Sequence, residues 1–368
     1  MTAGKLFSSF KLGALTLPNR IAMAPMTRCR ATNPAIAPTP MMVEYYGLRA
    51  DAGLIISEGI PVSPQARGYA FTPGLYSAEQ VAGWHAVTNE VHKQGGRIFA
   101  QLWHCGRISH GSLREDHAPP VGPSAIAANG KSMALDRATG AAALTQCEAP
   151  RALSTAEVKG VVAEFVQAAR NAIAAGFDGV EVHGANGYLL DQFRCPFLND
   201  RQDEYGGSLE NRCRLHLEIA REVAAAIGAE RTGIRLSPHG QANDMRPDPE
   251  PMATYGYLAE ELQKLGLVYL HLYDQSTSWI HDPDDALLRL IRAKFTNALM
   301  LCGGFTGNKA EAALATGSGD LIAIGKPFIS NPDLVSRLRQ GVEIASWDSK
   351  SFYLGGHSGY LDYPTFSA

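Results

Sequence analysis

No apolar run in this chain approaches the roughly 18 residues that span a bilayer, so no helical membrane anchor is expected. Net charge is also small. Its 33 basic and 36 acidic residues leave −3, which argues against a nucleic-acid or anionic-membrane surface. Cysteine is sparse and scattered. The six copies (Cys29, Cys105, Cys147, Cys195, Cys213, Cys302) contain no C-x-x-C pair. That speaks against a zinc ribbon or iron–sulfur cluster and fits reduced thiols in a cytoplasm. The opening Met1-Thr2-Ala3-Gly4-Lys5-Leu6-Phe7 lacks an apolar h-region, so no secretory signal is expected. Low-complexity tracts are absent. No G-x-G-x-x-G follows the first expected strand, which takes support from a doubly wound dinucleotide fold.

What is present is an alternation of short apolar strands and amphipathic helices over 368 residues. Strands are expected at 20–25, 53–57, 97–103, 178–183, 231–237, 267–272, 298–302 and 320–324. Helices are expected at 40–50, 77–94, 154–175, 208–227, 251–265, 284–295, 306–315 and 331–339. Ser77 is a candidate cap with Glu79 in the first turn, and Ser154 with Glu157 resembles a capping box. Gly176, Gly228 and Gly266 stand just past helix ends. Eight such units close as a (β/α)8 TIM barrel. The expected organisation is one domain over 1–368, opened by a β-hairpin around Gly13. Residues 104–153 break the rhythm and are rich in Gly, Pro and Ala. A structureless loop of that length is improbable, so an excursion with its own short strands is expected over one mouth of the barrel.

Polar residues at alternate positions of a buried strand are costly unless paired. Gln101 and Trp103 share one strand face, Glu181 and His183 another, and Arg235 and Ser237 a third. All lie in the C-terminal halves of their strands, where barrel enzymes keep their chemistry. The chain then runs His183-Gly184-Ala185-Asn186-Gly187-Tyr188, putting hydrogen-bond donors and a weak acid at one strand exit. A structural reading stands beside this one: Glu181 and Arg235 could form an internal ion pair, and Asn186-Gly187 a simple turn. Gly303-Gly304 ends the seventh expected strand and Gly325-Lys326 the eighth. Loops in those places form the common barrel phosphate site, with backbone N–H groups and a helix N-terminus facing the anion. With Thr27, Gln101 and Arg235 available to a ring system, flavin mononucleotide fits these demands. A flavin storage barrel would show the same features without turnover. A metal-dependent barrel hydrolase would need ligands at several strand ends, and only His183 sits so.

Longer motifs add a resemblance. They are Leu17-Pro18-Asn19-Arg20 leading to Met23-Ala24-Pro25-Met26-Thr27-Arg28, then Gly53-Leu54-Ile55-Ile56-Ser57-Glu58, Gln101-Leu102-Trp103-His104, the 183–190 stretch, Asp203-Glu204-Tyr205-Gly206-Gly207-Ser208 and Gly325-Lys326-Pro327-Phe328-Ile329. Over nearly its whole length the chain resembles the old yellow enzyme family of FMN-dependent ene-reductases. Thr27 matches the branch with Thr at that position; another large branch has Cys there. The resemblance implies an NADPH dehydrogenase and alkene reductase with tight, non-covalent FMN. NADPH, less often NADH, is the hydride source, and the substrates are small enones and nitroalkenes. It implies that Thr27 contacts the flavin, with Pro25, Met26, Gly59 and His183 bordering it. Gln101 and Arg235 would bind the pyrimidine side, and Gly303, Gly304, Gly325 and Lys326 the phosphate. His183 and Asn186 would bind the substrate oxygen, Tyr188 would donate the proton, and Tyr69, Trp103 and Tyr353 would wall the pocket. Lys326 stands where many members have Arg, a point charge in place of a bidentate fork. A monomer or weak homodimer is expected, without nucleic-acid or membrane partners.

Overall fold

The structure, a computed structural model, describes residues 4–136, 138–353 and 356–366. Eight parallel strands close into a barrel: Ile21–Met23, Leu54–Pro61, Ile98–Trp103, Gly179–His183, Thr232–Leu236, Tyr269–Tyr273, Ala298–Cys302 and Leu321–Ile324. Each pairs with its neighbour in sequence, and the eighth returns to pair with the first. The strands are buried almost throughout, as parallel strands covered by helices must be. The expected (β/α)8 barrel is therefore the observed one.

The helices start where their caps dictate. Ser77 accepts from the Gln80 amide ahead of Ala78–Lys93, and the returning side chain of the capping box is Gln80. Ser154 and Glu157 form the expected box ahead of Thr155–Ala174. Ser208 caps Leu209–Ile227, and Asp285 caps Ala286–Lys294.

Two cores result from strand alternation. Ala100, Leu102, Val180, Val182, Ile234 and Leu236 point outward into the main cluster under the helices. Ala22, Leu54, Ile56, Phe99, Met300 and Leu321 form a second cluster inside the barrel. The antiparallel hairpin Phe10–Leu12 with Leu15–Leu17 closes that second cluster with Leu12 and Leu17. Its turn uses Gly13 at φ 56°. The lower barrel is thus filled with apolar side chains, and the polar inward positions lie above them.

Some elements depart from expectation. The second strand runs on to Pro61, with a register shift between Ile56 and Gly59. Short helices Leu189–Arg194 and Lys326–Ser330 occupy stretches expected as loop, and the last helix begins at Leu334. Segments of five or six residues are too short to display a helical period. The excursion carries its own strands: Val121–Gly122 pairs with Arg151–Ala152, and Lys131–Leu135 forms a hairpin with Ala142–Gln146. Among the described residues, no helix is long and apolar enough to cross a membrane, and no group of side chains could hold a metal ion.

Candidate active site

A cavity of about 930 Å³ opens at the C-terminal ends of the strands. All the sequence-derived candidates line it: Pro25, Met26, Thr27, Gly59, Tyr69, Gln101, Trp103, His183, Asn186, Tyr188, Arg235, Gly303, Gly304, Gly325, Lys326 and Tyr353. Residues from seven of the eight strand ends therefore converge on one space.

The first three strands supply one side. Gly59 lies opposite Gln101 beyond the register shift. A Cβ at Gly59 would come within 2.5 Å of the Trp103 ring, so only glycine lets that indole lie flat there. Tyr69 stacks on Trp103 with centroids 5.5 Å apart, and Tyr188 meets it edge-on at 4.9 Å. Three aromatic rings thus fix one another.

The fourth strand supplies the donors. His183 is buried at its end, and burial, then Arg235 and His271, pushes its imidazolium well below the usual range. The ring is neutral, with Nδ1 unpartnered among the described residues. Asn186 takes a left-handed conformation, φ 60°. Its amide donates to Ser237 Oγ at 2.8 Å and its carbonyl accepts from Asn243 Nδ2 at 2.8 Å, which holds the turn. Tyr188 then stands just before Leu189–Arg194, and its hydroxyl lies 3.2 Å from that of Tyr69. Burial pushes the Tyr188 phenol above its usual range, so it stays protonated.

The fifth to eighth strands supply the rest. Arg235 lies 4.6 Å over the Tyr273 ring and contacts Cys302 Sγ at 3.6 Å. The structural alternative of a direct Glu181–Arg235 pair is not what forms. Glu181 instead accepts from Gln101, Tyr269 and His271. Gly303 and Gly304 have φ 152° and 59°, conformations suited to glycine. Asp274 braces the facing loop by accepting from the amides of Ser276 and Ser278 at 2.8 and 2.7 Å. Lys326 reaches into the cavity near Trp347, 6.0 Å from its ring.

Sequence reasoning missed Arg28 and Arg30, which follow Thr27. Both guanidiniums are buried. Arg28 donates to the carbonyls of Phe352 and Gly359 at 3.0 and 2.7 Å, and Arg30 to those of Phe352 and Ser351 at 2.9 and 3.0 Å. They pin the segment that carries Tyr353 over the cavity. Tyr269 and His271 were missed as well, although Tyr269-Leu270-His271-Leu272 shows the same alternation as Gln101-Leu102-Trp103.

The donor set suits a large cofactor with a polar edge and an anionic end. Trp103 Nε1, His183 Nδ1 and Arg235 Nε are buried without partners among the described residues, a costly state unless a bound group answers them. The glycine pair at the seventh strand and Lys326 at the eighth suit a phosphate.

Fold and cavity together define a barrel enzyme with its site at the strand C-termini. The model of the NADH:flavin oxidoreductase / NADH oxidase family matches residues 5–344, and the chain belongs to this family, which is that of old yellow enzyme. It is 41% identical to 12-oxophytodienoate reductase 7 of Oryza sativa subsp. japonica, over 98% of this chain and 94% of the relative. It is likewise 41% identical to a chanoclavine-I aldehyde reductase of Penicillium roqueforti (strain FM164), over 99% and 97%. Among solved structures, morphinone reductase in complex with tetrahydroNAD superposes with TM-score 0.94 at 43% identity, over 99% of this chain and 98% of that one. The old yellow enzyme homologue of Zymomonas mobilis superposes with TM-score 0.91 at 39% identity, over 98% and 99%. The chain is an NAD(P)H-dependent flavin oxidoreductase of the alkene reductase type.

Proposed function

We propose that this enzyme reduces the double bond of α,β-unsaturated carbonyl and nitro compounds, with FMN held tightly but not covalently and NADPH as donor. The observation that carries the reading is the cluster of His183, Asn186 and Tyr188 at one strand exit, walled by Trp103 and Tyr69. Bound FMN would supply the hydride that reaches Cβ of the alkene.

The chain's own residues supply the rest. Thr27, Gln101 and Arg235 hold the ring, and Gly303, Gly304, Gly325 and Lys326 its phosphate. The neutral His183 donates a hydrogen bond to the substrate oxygen together with Asn186. Both stabilise the charge that develops on that oxygen, as an oxyanion hole does. Tyr188, kept protonated by burial, delivers its proton to Cα. Tyr69, Trp103 and Tyr353 exclude water and orient the alkene.

The visible spectrum of the purified protein tests this. FMN should appear in the supernatant after denaturation. NADPH should bleach the flavin, and an enone should restore its colour. FAD, or no flavin after reconstitution, would sink the reading.

A further inference from the structure

Inside the barrel, away from the cavity lining, Glu181 is fully buried. Its carboxylate accepts from Gln101 Nε2 at 2.8 Å, from the Tyr269 hydroxyl at 3.0 Å and from His271 Nδ1 at 2.8 Å. Strand register sets up this meeting. Glu181 lies opposite Gln101 on one neighbouring strand and opposite Gly233 on the other. Gly233 in turn lies opposite Tyr269. A Cβ on Gly233 would fall 2.4 Å from the Tyr269 ring. The missing side chain is the slot through which Tyr269 reaches across a whole strand to Glu181.

A buried carboxylate survives only with its lone pairs satisfied. Burial pushes the Glu181 carboxyl up, but His271 beside it, with Arg235 and Gln101, holds it below the usual carboxylate range. An ionised carboxylate can only accept. The Gln101 amide must therefore turn its nitrogen toward Glu181. Its oxygen is left for the cavity, where it can accept but not donate. The same negative charge lies one strand from Arg235, whose guanidinium lines the cavity.

We propose that Glu181 is a positioning residue, in an inference that rests on the FMN reading. It locks the Gln101 oxygen toward the flavin, and its charge, set against Arg235, keeps the bound flavin harder to reduce than Arg235 alone would make it.

The test is the reduction potential of the FMN-loaded Glu181→Gln variant, read against a reference dye. The substitution removes the charge and lets the Gln101 amide turn its N–H groups to the ring. Both changes favour a ring that gains electrons. The equilibrium constant for two-electron reduction should rise about tenfold, which is about 30 mV. Glu181→Asp keeps the charge but withdraws its reach, so its rise should be smaller. An unchanged potential in a folded, FMN-loaded Glu181→Gln protein overturns the proposal. A residue that merely holds the barrel together would lower the melting temperature and leave the potential alone. Should both variants fail to fold, the wild-type holoenzyme with isotope-labelled FMN decides. A flavin N3 proton bonded to the Gln101 oxygen should exchange slowly with solvent, whereas rapid exchange overturns the proposal. A wild-type protein that carries no FMN overturns the cofactor reading and this inference with it.

Discussion

The hydroxyls of Tyr69 and Tyr188 lie 3.2 Å apart, and both rings rest on Trp103. An acid held in this way is fixed in space and has a neighbouring hydroxyl in hydrogen-bond contact. Its burial keeps the proton on until a stronger base arrives.

Tyr188→Phe should leave flavin reduction by NADPH nearly intact, since that half-reaction needs no proton from the phenol. Reoxidation by an enone should slow by roughly 10²–10⁴, the usual worth of a positioned acid. Nitroalkenes should lose less, because a nitronate is stable enough to leave and take its proton from water. Tyr69→Phe should slow enone turnover to a smaller degree. Stopped-flow traces of the two half-reactions separate these outcomes. Equal slowing of both halves would mark Tyr188 as a packing residue.

Lys326→Ala should weaken FMN retention. Losing one charge-assisted contact costs on the order of 1.5–3 kcal/mol. Lys326→Arg should keep most of the binding, because a guanidinium can also meet a phosphate. Titration of the apoproteins with FMN gives the comparison. Equal affinity in the alanine variant would place the anion elsewhere.

Glu58 adjoins Gly59 and is fully buried, and burial pushes its carboxyl up to about 7. Between about pH 4.5 and 7 the folded state keeps a proton that the unfolded state has shed. This contribution to stability is fully present below that window and is lost as pH rises through it. Glu58→Gln keeps a neutral acceptor for the Tyr46 hydroxyl, which donates to Glu58 at 3.3 Å. The variant should match wild type most closely below about pH 4.5 and be more stable near pH 8, by on the order of 3 kcal/mol. Thermal melts across that range give the answer. Parallel curves for the two proteins would show that Glu58 does not titrate in this way.

The sequence showed the barrel because each strand is a short apolar run and most of the longer helices have a cap or a glycine stop. Ser154 with Glu157 and Gly228 behind Ile227 are examples. The cavity residues were legible for a different reason. In a buried strand, inward polar positions stand out, as Gln101, His183 and Arg235 do. What was not legible depends on contacts distant in sequence. Nothing local marks Arg28 and Arg30 as buried, since the carbonyls they bond lie more than 300 residues away, among them those of Ser351 and Gly359. Glu181 was visible as an inward acid, but its partners were not. A strand pattern gives parity, not the reach of Tyr269 across Gly233. The short helix at Lys326–Ser330 escaped because Pro327 and the preceding glycine mimic a turn.

The grip of Arg28 on Phe352 joins positions 324 residues apart in the chain. The first barrel strand also waits for the eighth. On a ribosome, the first strand can pair with the second early, but its other edge must stay open until the eighth has emerged. The basin that receives the cofactor is finished only then, so loading belongs after synthesis and cannot guide the growing chain. Until that moment the two arginines after Thr27 lack their carbonyl partners, and a stalled chain lacks the wall that would keep a flavin in place.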